Sequence, residues 1–249
     1  MNKSGIIFTA LLLFLALSVG VTDSKAQVEL VENGSFETGD FTGWSMLNLS
    51  GDGTWLVYTG TIVDVFPVLP PPDGNFAAVT SQDSPDSNIL YQDITIVPGT
   101  IVTCTAIVYL ENRGEGEGSN YIIGDGLTLN APNQQMRVDI MDPDADPFDT
   151  GAGVLQNLFQ TLPGDPNSIG YTTLNFDLTP FAGTTVRFRA AVVVTRNVLN
   201  GAVDAVSCIA EGGVANVPTL SEWGMIAAAG GLGMIGVFFA VKRKRVNIG

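Results

Sequence analysis

Alternation at period two is the feature that most restricts what this chain can fold into. In Val102-Thr103-Cys104-Thr105-Ala106-Ile107-Val108 the even positions are apolar, while Thr103 and Thr105 face the other way. Val186-Arg187-Phe188-Arg189-Ala190-Ala191-Val192 repeats the pattern and puts Arg187 and Arg189 on a solvent face. Successive side chains of a strand point to opposite faces, so each run has one buried and one wet face, as in antiparallel sheets. Further runs of strand composition are 28–33, 54–59, 76–80, 88–96, 134–141, 171–178 and 202–209. Between them stand Pro70-Pro71-Pro72-Asp73-Gly74, Val97-Pro98-Gly99 and the segments 111–120 and 142–153, all of turn or loop composition. No helical period is sustained in this region, and no internal repeat is present. Roughly nine short strands punctuated in this way predict an all-β fold, a two-sheet antiparallel jelly-roll sandwich.

The two ends have a different composition. Lys3, an apolar run from Gly5 to Val21 and then Ser24-Lys25-Ala26 have the layout of a secretory signal peptide, which places cleavage after Ala26. An uncleaved N-terminal anchor is the other reading of that run. Near the other end, Met225 to Val241 is an uncharged apolar run that stops at Lys242-Arg243-Lys244-Arg245. As a helix it spans about 26 Å, enough for a thin bilayer, with the basic flank on the cytoplasmic side. The expected organisation is therefore a signal peptide over 1–26 and a jelly-roll ectodomain over 27–211. A linker over 212–217 and a tail over 218–245 follow, the tail holding a single C-terminal transmembrane helix at 225–241.

Charge then narrows the partners. Between residues 27 and 216 there are 23 acidic side chains, five arginines and no lysine, a formal charge of −18 against −14 for the whole chain. Such a surface repels nucleic acid and anionic lipid. Histidine is absent throughout, which removes Ser-His-Asp and Cys-His catalysis and histidine-ligated zinc. A carboxylate pair of the glycosidase type is the enzyme route left, but with 23 acids some pair meets any spacing by chance. The expectation is a protein that is not an enzyme. Cys104 and Cys208 leave two readings open, a disulfide in an oxidising compartment or a reduced thiol in the core.

Residues 217–223, Val217-Pro218-Thr219-Leu220-Ser221-Glu222-Trp223, stand directly before the apolar run. With that run and the basic stop they resemble the C-terminal sorting signal called IPTL-CTERM, a relative of the PEP-CTERM signals; Val217 replaces the motif's Ile. The resemblance implies export, transient anchoring in the inner membrane and processing near Pro218 by an exosortase-type membrane protease. The mature protein would then lie at the cell surface or outside it.

A second resemblance covers most of 28–209. Asn33-Gly34-Ser35-Phe36-Glu37 with Gly43-Trp44, Leu90-Tyr91-Gln92-Asp93-Ile94, Thr179-Pro180-Phe181-Ala182-Gly183-Thr184 and Val203-Asp204-Ala205-Val206 are similar to segments of galactose-binding-like, carbohydrate-binding-module jelly rolls. It implies a structural calcium on Glu37 and Asp204. Ala205 stands where the family often has a further Asp or Asn, and calcium takes six to eight oxygens, more than two carboxylates supply.

Other candidates have two readings each. Trp44, Trp55, Tyr58, Phe66 and Tyr121 are the aromatics that could stack on a sugar ring, or could pack in the core. Trp55 and Tyr58 have opposite parity on one strand, so at most one of them faces solvent there. Asp142-Pro143-Asp144-Ala145-Asp146-Pro147-Phe148-Asp149 is not an EF-hand loop, since Pro147 and Gly153 stand where Gly and Glu are needed. A looser cation loop or a solvated acidic loop remains. The function expected from all this is a non-catalytic surface or extracellular-matrix protein, with a calcium-supported carbohydrate-binding module and a glycan hydrolase as alternatives. Extracellular polysaccharide is the partner that such a module would take.

Overall fold

The computed structural model describes residues 27–212 apart from 52, 64–65, 82–84, 114–120, 131 and 197. The chain divides into two units, Met1–Gly213 and Val214–Gly249, and all described residues belong to the first.

Two antiparallel sheets face each other. The first has the order β11(Ser168–Asp177), β8(Thr100–Asn112), β13(Leu199–Gly212), β6(Ala77–Ser81), β3(Thr54–Tyr58), with β1(Gln27–Glu29) also paired to β13. The second has the order β10(Val154–Gln160), β9(Gln135–Met141), β12(Thr185–Val194), β7(Asp86–Thr95), β2(Ser45–Asn48). A small hairpin, β4(Ile62–Val63) with β5(Phe66–Pro67), stands apart from both. Apolar positions of period two meet between the sheets: Val102, Ala106 and Val108 of β8 pack in one cluster with Phe188, Ala190 and Val192 of β12. The all-β sandwich expected from alternation is what forms.

Cys104 and Cys208 lie directly opposite each other on β8 and β13 and are joined by a disulfide across a separation of 104 residues. The bond therefore links two strands of one sheet rather than the two sheets. Both sulfurs are buried on the inner face.

Three parts of the sequence reading are corrected. The predicted transmembrane helix does not stand. Among the described residues the one helix is a three-residue 3-10 turn, Thr179–Phe181, and none is long and apolar enough to cross a membrane. A helical span needs about 20 apolar residues, and the described backbone is instead committed to strand ladders. The membrane as a partner falls with it, and so does the exosortase-type protease that the sorting-signal resemblance implied. Residues 1–26, 217–223 and 225–241 themselves lie outside the described residues.

The second correction concerns Arg187 and Arg189, which do point away from the central core but are not on a wet face. Both are buried, because 142–153 folds over that side of the second sheet. The third is a set of strands that alternation did not predict: β2, β4, β5 and β10. β2 is exposed along its whole length, and β10 carries two register shifts, so neither shows a clean period of two.

Candidate functional site

The outer face of the first sheet is divided. One half is covered: Tyr58, Val63, Val68, Val79, Tyr109 and Ala202 form a second apolar cluster that includes hairpin residues. The other half is open, and Thr103, Thr105, Thr173 and Asn175 are exposed on it. Asn175, Thr105 and Ser207 lie in register across β11, β8 and β13, so three polar side chains cross the face in one row.

A groove of about 630 Å³ lies on this open half. Thr105, Ile107 and Ser207 line it together with Glu29, with 33–35 contributing one wall and Pro72 and Asp73 another. Its shape depends on backbone that few residues could adopt. Among the described residues, Asn33, Phe36 and Ala205 are the non-glycine ones with positive φ, at 49°, 57° and 47°. Ala205 sits where the β13 register shifts between Asp204 and Ser207. There Val206 donates its N–H to the Gly34 carbonyl at 3.0 Å. The two backbones run so close that a Cβ on Gly34 would stand 1.8 Å from the Val206 oxygen. Strained backbone gathered around one groove is the pattern expected of a working surface.

Behind the Asp73 wall, two carboxylates hold the turn 73–76. Glu37 Oε1 accepts the N–H of Asn75 at 2.7 Å and of Phe76 at 2.9 Å, and Oε2 accepts Asn75 Nδ2 at 3.3 Å. Those backbone bonds hold the Glu37 carboxyl below its ordinary range. Asp204, 2% exposed, accepts the N–H of Asp73 at 3.2 Å and of Ala205 at 2.7 Å. Burial first, and the charges of Asp73 and Glu37 besides, push its carboxyl up to about 7. Gly74, at φ 60°, leaves the room that the Glu37 carboxylate occupies; a Cβ there would lie 2.3 Å from Oε1. The two residues named for calcium are thus brought to one turn. Among the described residues, however, no group of three or more His, Cys, Asp or Glu side chains is arranged to hold a metal.

The sugar-stacking candidates are placed elsewhere. Trp44 is buried, edge-on to Phe188 at 5.9 Å, with its Nε1 donating to the Asn33 carbonyl. Trp55 is in the central core. Tyr58, on the opposite face of the same strand, is buried in the outer cluster and donates to the Leu69 carbonyl. Tyr121 is buried with its hydroxyl on the Pro166 and Asn167 carbonyls. Phe66 is half-buried beneath the Arg113 guanidinium at 5.5 Å. Covered on both sides, none of the four buried rings presents a face to a ligand.

Sequence reasoning missed Tyr171. It is 38% exposed on the outer face of the first sheet, at the edge of the covered half, and packs against Tyr109 at 5.7 Å, two residues along β8 from Ile107. Burial raises its hydroxyl first, and the charge of Asp204 adds to that, against a hydrogen bond with Tyr58 that lowers it. Tyr171 falls inside the bulge between Ile169 and Thr172, where strict alternation fails. A glycine before it, Gly170, was the available signal.

The acidic run is not simply solvated. Its carbonyls at Pro147 and Asp149 accept Arg189 Nη1 at 2.6 and 2.7 Å. Asp142, Asp146 and Asp149 turn their carboxylates onto nearby backbone N–H groups.

Two facing antiparallel sheets define the class of fold as an all-β sandwich. No family model matches the chain, and no curated protein matches it. Among solved structures it is similar to TmCBM61 in complex with β-1,4-galactotriose, at 11% identity, TM-score 0.44, over 73% of this chain and 97% of that one. It is also similar to a cleaved adhesin domain of Lys-gingipain from Porphyromonas gingivalis, at 13% identity, TM-score 0.45, over 74% and 99%. A Stig cyclase, Fisc from Fischerella sp. TAU, is a third, at 20% identity, TM-score 0.43, over 76% and 100%. The likeness is one of architecture, and neither ligand nor reaction carries over.

Proposed function

We propose that this protein is a non-catalytic glycan-binding sandwich, and that it holds polysaccharide in the groove on the open face of its first sheet. The observation that supports the reading is the groove itself, lined by Asn33, Ser35, Thr105 and Ser207, with Tyr171 exposed on the same face. Hydroxyl and amide groups match sugar hydroxyls, and a part-exposed ring offers an apolar surface for stacking. The buried disulfide supports a setting outside the cytoplasm, at a surface or in an extracellular matrix, because reducing compartments do not maintain such bonds.

Affinity electrophoresis in gels containing neutral polysaccharides tests this. The protein should be retarded by at least one polymer, and Tyr171→Ala should migrate freely while keeping its circular dichroism. Failure of every polymer to retard the protein would leave a purely structural role. Cleavage of any of them would overturn the non-catalytic reading.

A calcium ion at the turn 73–76 is a second element of the proposal. What favours it is that the Glu37 and Asp204 carboxylates meet at one turn, with none of the described cations paired to either. A hard divalent ion suits carboxylate oxygens, and backbone carbonyls beside them would have to complete its shell. Calcium should then raise the melting temperature relative to EDTA in the parent and not in Glu37→Gln. Equal melting with and without calcium would remove the ion from the account.

A further inference from the structure

Resting on the glycan-binding reading, we infer that the groove is built for sugars bearing free amino groups and discriminates against acidic ones. The signs of its charges lead there. Two carboxylates, Glu29 and Asp73, belong to the lining, and no basic residue does. They are not equivalent. Glu29 is tied into the frame, taking the N–H groups of Val31 and Cys208 and the Ser207 hydroxyl. Asp73 is exposed on its wall, and its backbone N–H is what the fold uses, donated to Asp204.

Four of the five arginines between residues 27 and 216 are engaged away from this face. Arg137 and Arg189 are paired to Asp139, and Arg187 to Asp93, all on the second sheet. Arg113 donates to the Pro67 carbonyl and covers Phe66. Burial first, and the charge of Asp73 besides, discourage the ionisation of Asp204 beside this wall. A ligand ammonium set beside Asp73 is attracted to its exposed carboxylate, whereas a uronate or sulfate is repelled by it. Neutral sugar hydroxyls still find Thr105 and Ser207, so the amine sets preference rather than permitting binding at all.

The experiment compares the full chain's affinity for a glucosamine oligomer, its N-acetylated counterpart of equal length, and a polygalacturonate, at mildly acidic pH and low salt. The free-amine oligomer should bind about fivefold tighter than the acetylated one, the effect of one exposed ion pair. Added salt should erode the difference. Asp73→Asn should bring the two affinities together, and Tyr171→Ala should weaken both. Equal affinities in the parent, or tighter binding of polygalacturonate, overturn the inference while leaving glycan binding in place. No binding of any glycan overturns both.

Discussion

Asp86 lies fully buried at the start of β7, and its carboxylate organises the loop that follows β2. Oδ1 accepts the N–H groups of Leu49, Ser50 and Ser87 at 3.1, 2.8 and 2.7 Å, and Oδ2 accepts that of Gly53 at 3.0 Å. Burial alone would raise its carboxyl, but the backbone bonds from Ser50, Gly53 and Ser87 outweigh it and hold the group below its ordinary range. A carboxyl depressed in the folded state stabilises that state above its unfolded pKa, near 4, and loses the effect as pH falls through the lower folded value. Asp86→Asn should therefore cost about 2 kcal/mol at neutral pH, with the gap to the parent narrowing below about pH 4. Urea titrations across that range measure it, and a gap independent of pH would contradict the assignment. Nothing in the sequence around Asp86 marks it out from the other acids, because three of these four backbone partners are more than thirty residues away.

At the scale of elements, β9 and β12 bring Arg137, Asp139 and Arg189 together beneath the segment 142–153. Arg137 Nε and Nη2 donate to Asp139 at 2.9 and 2.8 Å, Arg189 Nη2 donates to the same carboxylate, and Asn157 adds a fourth bond at 2.7 Å. For the Asp139 carboxyl, burial pulls upward, and the two guanidinium groups more than offset it, so it stays depressed. Asp139→Ala leaves two buried guanidinium groups without their carboxylate and should destabilise the fold by about 3–5 kcal/mol. It should also loosen 142–153, which limited proteolysis reads as new cleavage there. Unchanged cleavage would mean that Arg189 anchors the segment through the Pro147 and Asp149 carbonyls without help. Alternation identified β8 and β12 correctly because each has one face in the central core. It misjudged the outer faces, since what covers Arg189, or Tyr58 on β3, comes from segments distant in sequence.

Over the whole molecule, the disulfide closes a loop of about a hundred residues inside one sheet. In the chain-entropy picture it stabilises the fold by about 4–5 kcal/mol, chiefly by restricting the unfolded chain. Guanidinium unfolding with and without a reductant should show a lower midpoint on reduction, with the same sandwich retained in native buffer. An unchanged midpoint would mean that the β8–β13 ladder alone holds those strands.

The sequence by itself determined the class of fold. Period-two burial needs only the local chain, and so do the turns that interrupt it. It also ruled out histidine chemistry and set a strongly acidic charge between residues 27 and 216, because composition does not depend on conformation. Tertiary structure alone decided which outer faces are covered, that Cys104 meets Cys208, and that Trp44, Trp55, Tyr58 and Tyr121 are buried while Tyr171 is exposed. It alone set Asn33, Gly34, Asp73 and Ala205 around one groove. Each of these depends on contacts between segments far apart in the chain, and local alternation carries no record of them.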